Sequence, residues 1–77
     1  MIVSAKIRLA DARADLGQSQ AALAFFSGVS KQTVVNAEKG LSIGRIQAHR
    51  ILHFLNVERQ KVGKSQLSID DIEWTLR

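Results

Sequence analysis

The sequence predicts an all-α fold, a small bundle of about five short helices, because its composition favours helices over strands. The 77 residues include no proline, only three phenylalanines and one tryptophan, and a 45% hydrophobic share rich in alanine, leucine, isoleucine and valine. Glycines follow several runs with helical apolar spacing, which is typical of helix ends. A chain of this length forms one domain, residues 1–77, whose core buries only about 60% of the unfolded chain's surface.

Charge, cysteine content and hydropathy narrow the class of protein. Eleven lysines and arginines against seven acids give a net charge of +4, which suits a polyanionic partner but also an ordinary soluble helical protein. The absence of cysteine excludes disulfides and thiolate metal sites and fits a reducing compartment. No apolar run reaches the roughly 18 to 20 residues of a membrane span, and the N-terminus lacks the order of a signal peptide. We therefore expect a cytoplasmic protein with no membrane partner.

Residues 30–39 have the pattern of a short helix with one polar side that faces outward. Ser30 is a suitable N-cap and Gly40 a suitable C-terminal stop. At about 100° per residue, Val34, Ala37 and Glu38 share the inward side. Glutamine and asparagine amides can pair with adenine, lysine can donate to guanine or phosphate, and small apolar groups can contact the thymine methyl. The residues that we predict to read bases are Lys31, Gln32, Thr33, Val35 and Asn36.

A preceding short helix that ends at Gly28 completes a recognisable motif over residues 19–40. Its elements are Ser19-Gln20, Leu23-Ala24, Gly28-Val29-Ser30, Thr33-Val34 and Glu38-Lys39-Gly40. In order and spacing they resemble the helix-turn-helix of the Cro and lambda-repressor-like (Xre-type) regulators of prokaryotes and phage. The resemblance fades after residue 40. It implies a DNA-binding transcriptional regulator.

The resemblance also implies roles for residues outside the base-reading set. The residues expected to hold the DNA backbone are Gln20, Ser30, Lys39 and Arg45. In the family, an arginine at the offset of Arg13 pairs with a glutamate at the position of Glu38, as a structural ion pair. The alternatives are that Gln20 is an ordinary neighbour of a helix cap and that the two charges are separately solvated.

Four positions depart from the family pattern. Gln18 stands where the family prefers an apolar residue, and Ala37 where it often has a larger one. Phe25 and Phe26 occupy positions that are usually polar, and the helical spacing allows at most one of them to turn fully inward. We expect the other to lie on the surface, with contact to a partner as the alternative.

The remaining elements are predicted from apolar spacing. A first helix is expected over residues 4–16, with Ile2 or Val3 extending its apolar stripe, and a longer one over residues 43–56. Residues 56–66 are predicted to form a polar connection, with a short extended segment at 57–62. Residues 68–76 begin with a capping box and read as a last helix. We expect residues 57–77 to serve packing or dimerisation, and the candidate dimer contact comprises Ile69, Ile72, Trp74 and Leu76.

The functional expectation is a sequence-specific DNA-binding regulator, a repressor that binds double-stranded DNA as a homodimer. No catalytic arrangement, cofactor motif or small-molecule site is evident, so we expect a non-enzyme without a cofactor. His49 and His53 lie four residues apart, but a third metal ligand is not evident, so we expect no metal site. The alternative function is a helical protein-interaction adaptor, or an antitoxin-like partner protein, that uses Phe25, Phe26 or Trp74.

Overall fold

The computed structural model describes residues 6–77, and this part of the chain is mostly helical. Its α-helices are α1 (Leu9–Asp15), α2 (Gln20–Ser27), α3 (Lys31–Glu38) and α4 (Arg45–Lys61). Its strands are β1 (Ile7–Arg8), β2 (Ser42–Ile43), β3 (Ile72–Glu73) and β4 (Thr75–Leu76), with a 3₁₀ turn at Ile69–Asp71. The prediction of a helical fold is therefore right, but its fifth helix is replaced within residues 6–77 by this turn and two short strands.

The core draws on nearly every element. The largest side chains that are completely enclosed are Leu9, Leu23, Val34, Ile43, Ile51, Leu55 and Ile72. They come from α1, α2, α3, β2, α4 and β3, so no helix can be removed without opening the core. Such a small core tolerates little loss, since each fully buried aliphatic side chain contributes about 1.5 to 3 kcal/mol.

Helices α2 and α3 form a closely packed pair whose ends are fixed by local chemistry. Ser19 caps α2 and Ser30 caps α3, each by accepting a hydrogen bond from a backbone N–H in the first turn. Gly28 has a φ of 76°, a left-handed conformation that glycine adopts without strain and that ends α2. The small Ala24, only 4% exposed, lets the two helices approach. The turn thus fixes how α3 lies against α2.

The first helix begins later than the sequence predicts. Ile7 and Arg8 are extended and pair in parallel with Ile72 and Glu73, and α1 starts at Leu9 rather than at residue 4. The expected start of the helix and the stripe extension at Ile2 or Val3 lie outside the described residues. Tertiary pairing with the tail decides the conformation of Ile7 and Arg8, which no local pattern indicates.

Helix α4 is shifted toward the C-terminus relative to the prediction. Ile43 belongs to β2 instead. The polar connection expected at 56–66 is helical as far as Lys61, so the short extended segment predicted at 57–62 is wrong. The residues after Val57 are good helix formers, and Glu58 pairs with Lys61 at 2.8 Å, so nothing interrupts the helix before Gly63. No helix within residues 6–77 has the length and apolar character needed to cross a membrane.

The tail packs back onto its own chain. The side chain of Asn56 brackets Leu67, donating to its carbonyl oxygen at 2.9 Å and accepting from its N–H at 2.8 Å. Ile72 is completely buried, and β4 pairs in parallel with β2. The capping contact at residue 68 is present, since Asp71 accepts from the Ser68 N–H at 2.7 Å, but it closes only a 3₁₀ turn. The predicted last helix is therefore wrong, because strand pairing takes its place.

Candidate nucleic-acid interface

The outward side of α3 is polar and carries no carboxylate. Lys31 and Gln32 are exposed, and Val35 and Asn36 are half-buried beside them. Val34 and Ala37 are buried against the core, as the helical spacing predicts. Glu38, the acid of this helix, is directed to an arginine of α1 instead. The surface that α3 presents is thus amide-rich and basic.

Two amides on this side are joined to each other. The Gln32 Nε2 donates to Asn36 Oδ1 at 2.8 Å, one helical turn apart. This bond leaves the Gln32 Oε1 as an acceptor and the Asn36 Nδ2 as a donor, so the pair offers both kinds of group outward. Sequence reasoning named both residues but missed their bond, although the four-residue spacing of two amides was a usable signal.

The entry to α3 is fixed by two hydroxyls. Ser30 Oγ accepts from the Thr33 N–H at 3.1 Å and lies 2.9 Å from Thr33 Oγ1. The Ser30 hydroxyl, expected at the DNA backbone, is therefore occupied in capping the helix. Thr33 is half-buried and its hydroxyl takes part in the same contact, so mainly its methyl group is left to face a base.

An ion pair ties the end of α3 to α1. Arg13 Nε donates to Glu38 Oε2 at 2.6 Å, and Arg13 Nη2 donates to Oε1 at 3.1 Å. Arg13 Nη1 also donates to the carbonyl oxygen of Gln18 at 2.9 Å. The side chains of Arg13 and Glu38 are only 19% and 9% exposed. The two residues that the family resemblance pairs are thus in a bidentate, largely buried contact.

Gln20 belongs to this network. Its Nε2 donates to Glu38 Oε1 at 2.9 Å, so the amide expected at a phosphate also holds the end of α3. Burial acts to raise the pKa of Glu38, but hydrogen bonds from Arg13 and Gln20, together with the charge of Arg13, outweigh burial and hold that pKa below its ordinary value. The hydrogen bond to Glu38 is in turn the main cause that raises the pKa of Arg13. Glu38 is therefore an ionised structural group.

Two further cations are predicted to hold the DNA backbone. Lys39 lies at its C-terminal end and Arg45 opens α4, and both are exposed. Neither forms an ion pair with another residue in the described range. Both are available to a polyanion.

The residues of the candidate dimer contact pack mostly against their own chain. Ile72 is fully enclosed, so it cannot reach a second subunit. Ile69, Trp74 and Leu76 are half-buried against the same core. Trp74 Nε1 donates to the carbonyl oxygen of Ile69 at 3.1 Å, which fixes the indole on its own tail. The part of the prediction that concerns Ile72 is wrong, and the other three keep only their outer edges exposed.

Within residues 6–77, no three histidine, cysteine or acidic side chains come together as a metal site. Comparisons with protein-family models, with curated proteins and with solved structures found no match to this chain.

Proposed function

We propose that this protein is a sequence-specific DNA-binding regulator, a repressor that reads the major groove with α3. The observation that carries the proposal is the outward side of α3, where the joined amides of Gln32 and Asn36 lie near exposed lysines and no carboxylate. Amides bind adenine edges and lysines bind guanine or phosphate, whereas a carboxylate on this side of α3 would be repelled by the phosphates of the DNA backbone. In this proposal α2, the turn at Gly28 and α3 act as an Xre-type helix-turn-helix.

The proposal includes two copies on a two-fold site. An eight-residue helix is about 12 Å long and reaches only a few base pairs. Useful specificity then requires two such helices at half-sites about 34 Å apart. Since Ile72 is enclosed, the contact between copies in this proposal is formed by the outer edges of Ile69, Trp74 and Leu76.

The test is selection of bound duplexes from a random DNA pool, followed by two matched substitutions on the recovered site. Gln32→Ala should weaken binding to that site by about 1 to 3 kcal/mol and leave binding to random DNA nearly unchanged. Lys39→Ala should weaken binding to both and reduce the slope of log affinity against log salt by about one. Gln60→Ala, an exposed amide on α4, is the control and should change neither.

The outcome decides between two functions. Enrichment of a defined motif, with loss of discrimination in Gln32→Ala, supports base reading by α3. Equal weakening on all sequences would remove the base-reading role, and a pool without any enriched motif would remove the regulator proposal. A protein-interaction adaptor or antitoxin-like partner is the second candidate, and the exposure of both Phe25 and Phe26 favours it.

A further inference from the structure

An open groove lies between the C-terminal end of α2 and the middle of α4, separate from the outward side of α3. Its volume is about 430 Å³, within the range of sites that take a small ligand or the anchoring side chains of a peptide. The residues that line it are Phe26, Ser27, His49, Arg50, His53, Phe54 and Val57. They include no carboxylate.

The apolar part of the groove is a cluster of aromatic rings. Phe26 stacks on Phe54 with ring centroids 5.5 Å apart, and Phe25 meets the edge of Phe26 at 5.2 Å. Phe25 is 78% exposed and Phe26 is 60% exposed. The sequence allowed one of these two to turn inward, but neither does. Scattered exposed apolar residues are ordinary, whereas adjoining aromatic rings beside a groove mark a contact surface.

Polar groups converge on the same groove. Arg50 is exposed at its edge and donates a long bond, 3.4 Å, to the carbonyl oxygen of Gly28, which leaves its remaining N–H groups for another acceptor. His49 and His53 are exposed beside it. Ser27 also lines the groove, and its Oγ is buried. The polar groups that line the groove thus include a cation and no acid.

We propose that this groove binds an acidic segment of another protein, with an apolar side chain seated on Phe26 and Phe54 and a carboxylate paired with Arg50. The argument is charge complementarity around an aromatic surface, because the lining offers a fixed positive charge and two imidazoles but no acid. The proposal concerns a different surface from the outward side of α3. It therefore holds whether or not the chain binds DNA.

The other occupants fit the groove less well. A two-fold contact with a second copy sets the same lining on both sides, so two Arg50 side chains would face each other without an acid between them. DNA offers phosphates for Arg50, but it offers no apolar side chain to cover the ring of Phe26, and protein–DNA contacts are strongly polar. A protein segment supplies both the apolar and the acidic group.

The test uses random peptides displayed on phage and selected against the full chain, with the enriched peptides then synthesised and titrated into it. We expect a consensus that combines leucine or aromatic residues with aspartate or glutamate. Phe26→Ala and Arg50→Glu should each weaken binding of these peptides by at least about tenfold. Both side chains are largely exposed, so neither change should unfold the protein, which circular dichroism would verify. Val62→Ala, exposed but outside the groove, is the matched control.

Results of three kinds would overturn the proposal. The first is a consensus without acidic residues, or peptides that bind Phe26→Ala and wild type equally. The second is sedimentation showing a dimer of the wild type that Phe26→Ala dissociates, because the groove would then be a self-contact. The third is a random DNA duplex that shifts the NMR signals of Phe26 and Phe54 more strongly than the peptides do.

Discussion

Replacing Glu38 with alanine tests the network that holds α3 against α1. The substitution removes both hydrogen bonds that Arg13 donates to the carboxylate and the one from Gln20. Breaking a buried ion pair lowers the unfolding free energy by about 3 to 5 kcal/mol. We expect about 3 kcal/mol here, because the Arg13 side chain is 19% exposed and can be partly hydrated once Glu38 is gone. A domain of this size has about 4 to 12 kcal/mol of stability in total. The melting temperature should fall by about 12 to 24 °C.

The dependence of stability on pH tests the same interaction in a second way. The pKa of Glu38 in the folded chain lies below its ordinary value of 4.5, so the unfolded chain binds more protons between the two values. The contribution of Glu38 to stability is therefore complete above about pH 4.5 and is lost as pH falls through the folded-state pKa. A Glu38→Gln variant should lose this part of the acid sensitivity and show a flatter fall in unfolding free energy over the acidic range.

The assay is urea unfolding followed by the fluorescence of Trp74, the single tryptophan, with circular dichroism as a second probe. Asp11→Ala is the control, because it breaks an exposed pair with Arg8 at 3.1 Å whose removal should cost under about 1 kcal/mol. A double-mutant cycle with Arg13→Ala should give a coupling energy of about 1 to 3 kcal/mol. If Glu38→Ala shifts the urea midpoint no more than Asp11→Ala does, the hydrogen bonds of Glu38 do not stabilise the packing of α3 against α1.

Two further predictions concern the tail. Asn56→Ala should lower the unfolding free energy by about 1 to 3 kcal/mol, because it leaves the N–H and the carbonyl of Leu67 unpaired. Amide hydrogen exchange should then become faster over residues 64–77. Unchanged exchange there would show that strand pairing alone holds the tail. Ile72→Ala should lower the unfolding free energy by about 2 to 5 kcal/mol by opening a cavity in the core. A change of oligomeric state in Ile72→Ala without loss of stability would instead restore the dimer contact expected from the sequence.

The elements that sequence reasoning located well are those with local signals. Helices α2 and α3 have serine caps, glycine stops and apolar residues at helical spacing, and each of these signals acts within one or two turns of the chain. The same spacing located Val34 and Ala37 on the buried side of α3. The sequence alone therefore assigns the side chains of the candidate interface on α3 to inner and outer sides.

The elements that sequence reasoning misplaced depend on distant residues. Ile7–Arg8 and Ile72–Glu73 are extended because they pair with each other across most of the chain. Two-residue strands have no periodicity to detect, and the capped start at Ser68 resembled the first turn of a helix. The end of α4 differs from the prediction for another reason, since a charged run that suggests a polar connection is also a good helix former.

The sequence by itself determined that α2 and α3 form, where they begin and end, and which residues α3 turns outward, because capping and helical periodicity are local. Only the tertiary structure decided that Ile72 is enclosed, that Gln20 joins the ion pair, and that both Phe25 and Phe26 stay exposed. Those features depend on how the helices and the tail pack against one another. The core is too small to enclose every apolar side chain, so which of them are buried depends on how the whole chain packs.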